Sequence, residues 1–250
     1  MVSLERLNIK LKPTPFYAIY EADVMTLLKS KMVIAWTIIS FFIGSLILLG
    51  SVLSEAKDRI GSNLWLFVYV WSLMIIGLSA GSISSEAGVI ADSLLSRSVK
   101  RYEYIIAKIL SRCSVVLMVY FIVTFILSLI AVRIAPIGDI DFGGWLRAVL
   151  MVGLVLAFLT ILGVTFSTIS PSTVVSVIVV LLAWYMMLFA LPVAQLDMAS
   201  PGYLVDHASR VMTGYWDDTL WEMAGIYVVF CLILTLIALY YFEEKDLASE

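Results

Sequence analysis

The chain has 250 residues, of which 62% are hydrophobic and 14% charged, against roughly 45–50% and about 25% in a soluble domain. With a mean hydropathy of +1.04 it reads as a polytopic membrane protein, which excludes disordered, collagen-like, nucleic-acid-binding and disulfide-scaffold classes. A net charge of −3 gives no general attraction for phosphate backbones, so no nucleic-acid partner is expected.

The first 31 residues precede the apolar runs. Met1 to Tyr20 is mixed polar and holds Pro13 and Pro15, which does not resemble a cleavable signal peptide with its apolar core. Phe16, Tyr20, Val24 and Leu27/Leu28 then repeat at helical spacing, with Glu21, Asp23, Lys29 and Lys31 off that line. This amphipathic period predicts an interfacial helix leading into the membrane; a solvated N-terminal helix has the same pattern.

A hydrocarbon core of ~30 Å takes about 20 apolar residues to cross in a helix, and six stretches reach that length: 32–53, 64–84, 113–132, 148–169, 173–196 and 223–242. Each is free of Asp, Glu, Lys, Arg and His. The expected fold is therefore an all-α integral membrane protein, a single transmembrane domain over 1–250 with no separate soluble part. Two connections, 85–112 and 197–222, are long enough to fold. Gly77-x-x-x-Gly81 and Gly163-x-x-x-Ser167 place small residues at helical spacing, where helices can approach closely or two chains can meet.

Orientation follows from basic residues, which are retained on the cytoplasmic side near span ends. With the N-terminus inside, eleven lysines and arginines fall on cytoplasmic segments and five (Lys57, Arg59, Arg133, Arg147, Arg210) on the outer ones. Both termini are thus expected in the cytoplasm, in a cell membrane of plasma or inner type. Trp65, Trp145, Trp216 and Trp221 then fall at the depth of an outer aromatic belt.

Much chemistry is missing. No G-x-x-x-x-G-K-[ST] occurs, so the chain has no P-loop, and a single histidine, His207, removes every motif that needs two. Cys113 and Cys231 sit in or beside apolar runs and read as small buried hydrophobes. Asp206-His207 is too little for a metal site. No metal, cofactor or catalytic residue is expected, and spans without an ionisable group argue against ion-coupled transport. Energy for any transport would come from another chain.

The segment 85–112 carries the most information. It leaves the membrane with Glu86, passes the apolar pair Leu94-Leu95, and becomes basic at Arg97, Lys100, Arg101, Lys108 and Arg112, with Ser98 placed to cap a helix running into the third span. Pattern alone also fits an ordinary positive-inside connector. The order Glu86, Gly88, Leu94-Leu95-Ser96, Val99, Arg101, Glu103-Tyr104-Ile105 and Lys108 resembles the loop after the second span in ABC transporter permeases of the type-two export class. Ser98 stands where that family usually has proline, and Ala107 where it has glycine. Glu21 to Lys31 is similar to the family's interfacial connecting helix.

The resemblance implies a half-transporter that pairs with a second permease copy or paralogue and is driven by separate ABC ATPase subunits, which bind ATP and Mg. Glu86, Gly88, Leu94, Leu95 and Ser96 would lie in the coupling helix, with Arg97, Lys100 and Arg101 at its basic end. The outer loop 197–222 would form a re-entrant or interfacial helix. An alternative is a membrane scaffold that transmits the ATPase stroke to an extracytoplasmic partner without transport. A continuous polar path between the paired chains separates the two, and Thr37, Ser40, Ser45, Ser79, Ser82, Thr124 and Ser128 are its candidates.

Overall fold

The apolar runs form helices because a single segment in lipid satisfies its own backbone polar groups by i→i−4 pairing, with no neighbouring strand required. The computed structural model describes residues 15–50, 54–84, 100–134 and 140–244, all helix and connecting turns. In chain order the helices are α1 (Pro15–Leu28), α2 (Lys31–Gly50), α3 (Ala56–Tyr69), α4 (Ser72–Ala80), α5 (Arg101–Ile134), α6 (Phe142–Ile169), α7 (Thr173–Val193), α8 (Pro201–Met212) and α9 (Asp218–Glu244), with a 3₁₀ turn at Asp197–Ala199. Helices α2, α3 with α4, α5, α6, α7 and α9 are long and apolar enough to cross a membrane.

Helix α6 is the axis of the bundle. In its most apolar stretch 72% of residues are buried, against 28% in α2, 22% in α7 and 17% in α9. It packs on α3, α4, α5, α7, α8 and α9, so its side chains are apolar all round, as a helix enclosed by others requires. Asp141 caps its start by accepting from the Gly144 amide at 2.8 Å. The Asp141 amide in turn donates to the Met212 carbonyl at 2.8 Å, tying α6 to the end of α8. A Cβ on Gly144 would lie 2.2 Å from the Val211 carbonyl oxygen, so only glycine lets these two helix ends meet.

The second span is broken between α3 and α4. The Trp71 amide donates to the Leu66 carbonyl, five residues back, at 2.8 Å, which widens one turn. Carbonyls at such a break need new donors inside a membrane. Helix α7 supplies them: Trp184 Nε1 donates to the Val68 carbonyl at 3.3 Å and the Tyr185 hydroxyl to the Tyr69 carbonyl at 2.8 Å.

Several sequence expectations need correction. The second span begins at Ala56, not near 64, because Arg59 is buried rather than solvated. Its guanidinium donates to the Leu48 carbonyl at 2.8 Å and the Ser54 carbonyl at 3.1 Å. That satisfies an orphan acceptor in the last turn of α2 and places positive charge where the helix dipole favours it. Helix α5 starts at Arg101, ahead of the apolar run at 113, as a helix leading into the third span requires, whereas α7 ends at Val193, one residue beyond Pro192, rather than at 196. The small-residue pairs do bring helices close, as expected: a Cβ on Gly163 would lie 2.0 Å from Ser79 Oγ of α4, Gly77 faces Met32 of α2, and Gly81 faces Thr173 of α7.

Candidate functional site: the frame around residues 85–99

Of the coupling residues expected from sequence, Glu86, Gly88, Leu94, Leu95, Ser96 and Arg97, with the capping Ser98, lie outside the described residues. Lys100 and Arg101 open α5. The structure describes what holds each end of this segment.

One end is a cluster of hydroxyls. Ser167, near the end of α6, accepts through its Oγ from the amides of Ile83 at 2.9 Å and Ser84 at 3.1 Å. Those amides follow the end of α4, where helical partners have run out. The Ser84 hydroxyl pairs with the Thr173 hydroxyl at 2.9 Å, so the chain is fixed to both arms of the α6–α7 hairpin just before residue 85. The hairpin turn is itself closed by the Ser170 hydroxyl donating to the Ser172 carbonyl at 3.0 Å.

The other end is charged. Helix α5 has 34 residues, about 51 Å at 1.5 Å per residue, well over the ~30 Å hydrocarbon core. Arg101, Glu103, Lys108 and Arg112 occupy its first three turns, so the excess length is at this end. Helix α1 lies along it. Lys108 Nζ is 2.8 Å from Asp23 Oδ1 and Arg112 Nε is 3.7 Å from Asp23 Oδ2, with all three side chains about nine-tenths buried. The Ser111 hydroxyl donates to Asp23 Oδ2, and the Tyr20 and Ser114 hydroxyls pair at 3.0 Å one turn on. Lys108, Ser111 and Arg112 share a face because three- and four-residue steps align on a helix.

Burial alone would push the Asp23 carboxyl upward. The Arg112 and Lys108 charges, with the Lys108 and Ser111 hydrogen bonds, outweigh it and hold the group below its ordinary value. Asp23 is thus ionised at neutral pH and pins α1 electrostatically.

The first turns of α5 also reach α9. Tyr104 stacks on Phe242 with ring centres 5.7 Å apart, Lys108 Nζ lies 5.7 Å from the Tyr104 ring centre, and Arg101 donates to the Glu243 carbonyl at 2.9 Å. Lys100 is exposed, its ammonium 5.6 Å from the Tyr102 ring centre. Displacement of segment 85–99 would therefore load α6 and α7 at one root and α1 and α9 at the other.

The sequence reading missed Asp23. It placed the aspartate off the apolar line, whereas Asp23 faces α5 and the outward residues include the exposed Tyr17 and Met25. The available signal was the Lys108/Ser111/Arg112 face, which calls for a carboxylate opposite. Arg59 gave no such signal, since its acceptors are backbone.

At the opposite end of the bundle the 197–222 region contains α8, capped by Ser200, whose Oγ accepts from the Gly202 amide at 3.2 Å. Its apolar face, Leu204, Val205, Ala208, Val211 and Met212, is buried on α3 and α6. It lies against the bundle as a short amphipathic helix. His207 stacks on Tyr203 at 4.3 Å and its Nδ1 is 2.9 Å from the Tyr203 carbonyl oxygen. Among the described residues, no group of three or more His, Cys, Asp or Glu side chains is placed to hold a metal ion.

No protein-family model matches the chain, and no curated protein matches its sequence. What the sequence and the structure establish together is an all-α, multi-pass membrane protein with, among the described residues, six apolar helices of spanning length, a short helix packed against the bundle near each end, and residues flanking 85–99 that are rooted in the bundle.

Proposed function

We propose that the chain is the permease subunit of an ATP-binding-cassette exporter of the type-two class, paired with a second permease and driven by separate ATPase subunits that bind ATP and Mg. The observation that carries this reading is the double rooting of segment 85–99. A loop that only joined two spans would need neither the Ser84–Ser167–Thr173 cluster nor the buried Asp23–Lys108–Arg112 cluster beside it. A loop that receives force needs both, because a push is transmitted only through roots that do not yield. The proposed orientation keeps both termini and segment 85–99 in the cytoplasm of a cell carrying the protein in its plasma or inner membrane, where the ATPase docks.

The test is Leu94→Asp, which replaces an apolar docking contact with an unpaired charge. We expect it to abolish co-purification with the ATPase while Glu86→Ala leaves the complex intact and impairs its substrate-linked hydrolysis. Normal binding and hydrolysis in both variants would reduce the loop to a connector. Single cysteines at Ser62 and Ser209 should react with an impermeant thiol reagent in intact cells and one at Ser98 should not; the reverse pattern would overturn the orientation.

A second reading, a membrane scaffold that transmits the ATPase stroke without transport, turns on how the hydroxyls are used. Thr37, Ser45 and Ser79 donate to carbonyls four residues back, and Ser128 accepts from Trp145 Nε1 at 3.1 Å. Ser40, Ser82 and Thr124 are buried. Transport needs a continuous polar path between the two paired chains, and these hydroxyls are its candidates. Substrate-independent ATPase turnover in the assembled complex, coupled to movement of an extracytoplasmic partner, would favour the scaffold.

A further inference from the structure

At the end of the bundle away from the ion cluster, α2, α3 and α8 border a groove of about 560 Å³. Asp58, Ser62 and Trp65 line it from α3 at steps of four and three residues, so they share one helix face. Ile47 of α2 and Val205 of α8 give it an apolar wall, and Ser209 of α8 stands at its edge. Gly61 also lines the groove, and a Cβ there would meet nothing within 4 Å, so the wall is open at that point.

Two features define its chemistry. The first is charge. Asp58 is exposed in the first turn of α3 while its cationic neighbours are committed elsewhere: Lys57 pairs with Glu55 at 2.8 Å, and Arg59 points inward to the Leu48 and Ser54 carbonyls. The second is an aromatic surface. Trp65 stacks on Tyr69 at 4.6 Å and 15°, which fixes the indole, and is still 43% exposed. A carboxylate two turns from a fixed, exposed indole attracts a cation, and an indole face favours a poorly hydrated one. The apolar wall adds a requirement for a hydrocarbon stem.

We propose that this groove binds an organic ammonium ion on an apolar stem, its charge held between the Asp58 carboxylate and the Trp65 ring and its stem running along Ile47 and Val205. Such a cation is either a membrane-dissolved amine or the choline head of a lipid. The site stands independently of the transporter reading, since it uses no residue of the 85–99 frame.

The experiment is equilibrium binding of radiolabelled decyltrimethylammonium, below its micellar concentration, to the protein in nanodiscs of an uncharged glycolipid, with decanol as the uncharged control. Saturable binding of one probe per chain is expected, weakened at least tenfold by Asp58→Asn and by Gly61→Phe, and three- to tenfold by Trp65→Leu. Asp58 is exposed and Gly61 faces open space, so these two variants leave the packing intact. Exchanging a third of the glycolipid for phosphatidylcholine separates the sources: competition that disappears in Asp58→Asn identifies the lipid head, and unchanged binding identifies an amine, either result supporting the site. Equal binding by wild type and Asp58→Asn, or binding of decanol as tight as that of the ammonium, would overturn it.

Discussion

The two ends of the bundle each bury a basic side chain, and they do so by opposite means. At the α1 end, Lys108 and Arg112 meet the carboxylate of Asp23, which comes from a helix more than eighty residues away. At the α8 end, Arg59 meets, among the described residues, backbone carbonyls, those of Leu48 and Ser54 in the preceding turn and connection. A side-chain ion pair can be undone by one proton or by a competing charge. A guanidinium on carbonyls has no group that titrates in the accessible range. The α1 end is thus the one whose attachment a charged partner can alter, and the α8 end is the fixed one.

The largest effect that tests this contrast is loss of the carboxylate. Asp23→Ala leaves Lys108 and Arg112 facing each other without the charge between them, and breaking a buried pair from one side costs about 3–5 kcal/mol. Limited proteolysis should then cut within α1 while α2 to α9 stay protected. Acid should do the same to the wild type. The Asp23 carboxyl is held below its ordinary 3.8, so the unfolded or detached state binds the extra proton. The cluster's contribution is therefore complete above that value and drains as pH falls through the lower folded value. Release of α1 already at pH 6 would contradict it.

Next in size is Arg59→Leu, which leaves the Leu48 and Ser54 carbonyls without their donor at a cost of about 2–3 kcal/mol. Its thermal destabilisation should be the same at pH 5 and pH 8. A pH-dependent loss would mean that a titrating partner has been overlooked and would erase the difference between the ends.

Packing supplies a smaller, charge-free comparison. Gly163→Ala places a methyl 2.0 Å from Ser79 Oγ and 3.2 Å from the Ala80 amide nitrogen, an overpacking cost of about 1–2 kcal/mol. Adding Ser79→Gly should restore most of the lost thermal stability. No rescue would show that α4 and α6 meet elsewhere.

The smallest expected effect is at Asp206 on α8. Burial raises its carboxyl, partly offset by His207, so its ionised form opposes the fold. Its contribution is complete below the ordinary 3.8 and is lost as pH rises through the raised value. Asp206→Asn should therefore raise the unfolding midpoint slightly at neutral pH and leave it unchanged in strong acid. A lower midpoint at pH 7 would place the ionised carboxylate in a stabilising contact.

Sequence alone determined the class and the number of crossings. Long apolar runs admit one conformation in lipid, because only a helix pairs its own backbone groups locally. It also pointed to a helix within 16–31, which forms at Pro15–Leu28, to the broad limits of the spans and to the segment on which the functional reading rests. It did not determine which way Asp23 faces, that Arg59 is buried, or that Gly163 and Ser167 contact α4 and the residues after it, since each depends on a partner many residues away or on a backbone carbonyl with no sequence signature. The break at Trp71 is of the same kind: nothing in 66–72 announces it, and it persists because Trp184 and Tyr185 of α7 hold the carbonyls beside it. Local pairing is written into composition and period; which side chain completes another helix's unpaired group was decided only when the helices packed.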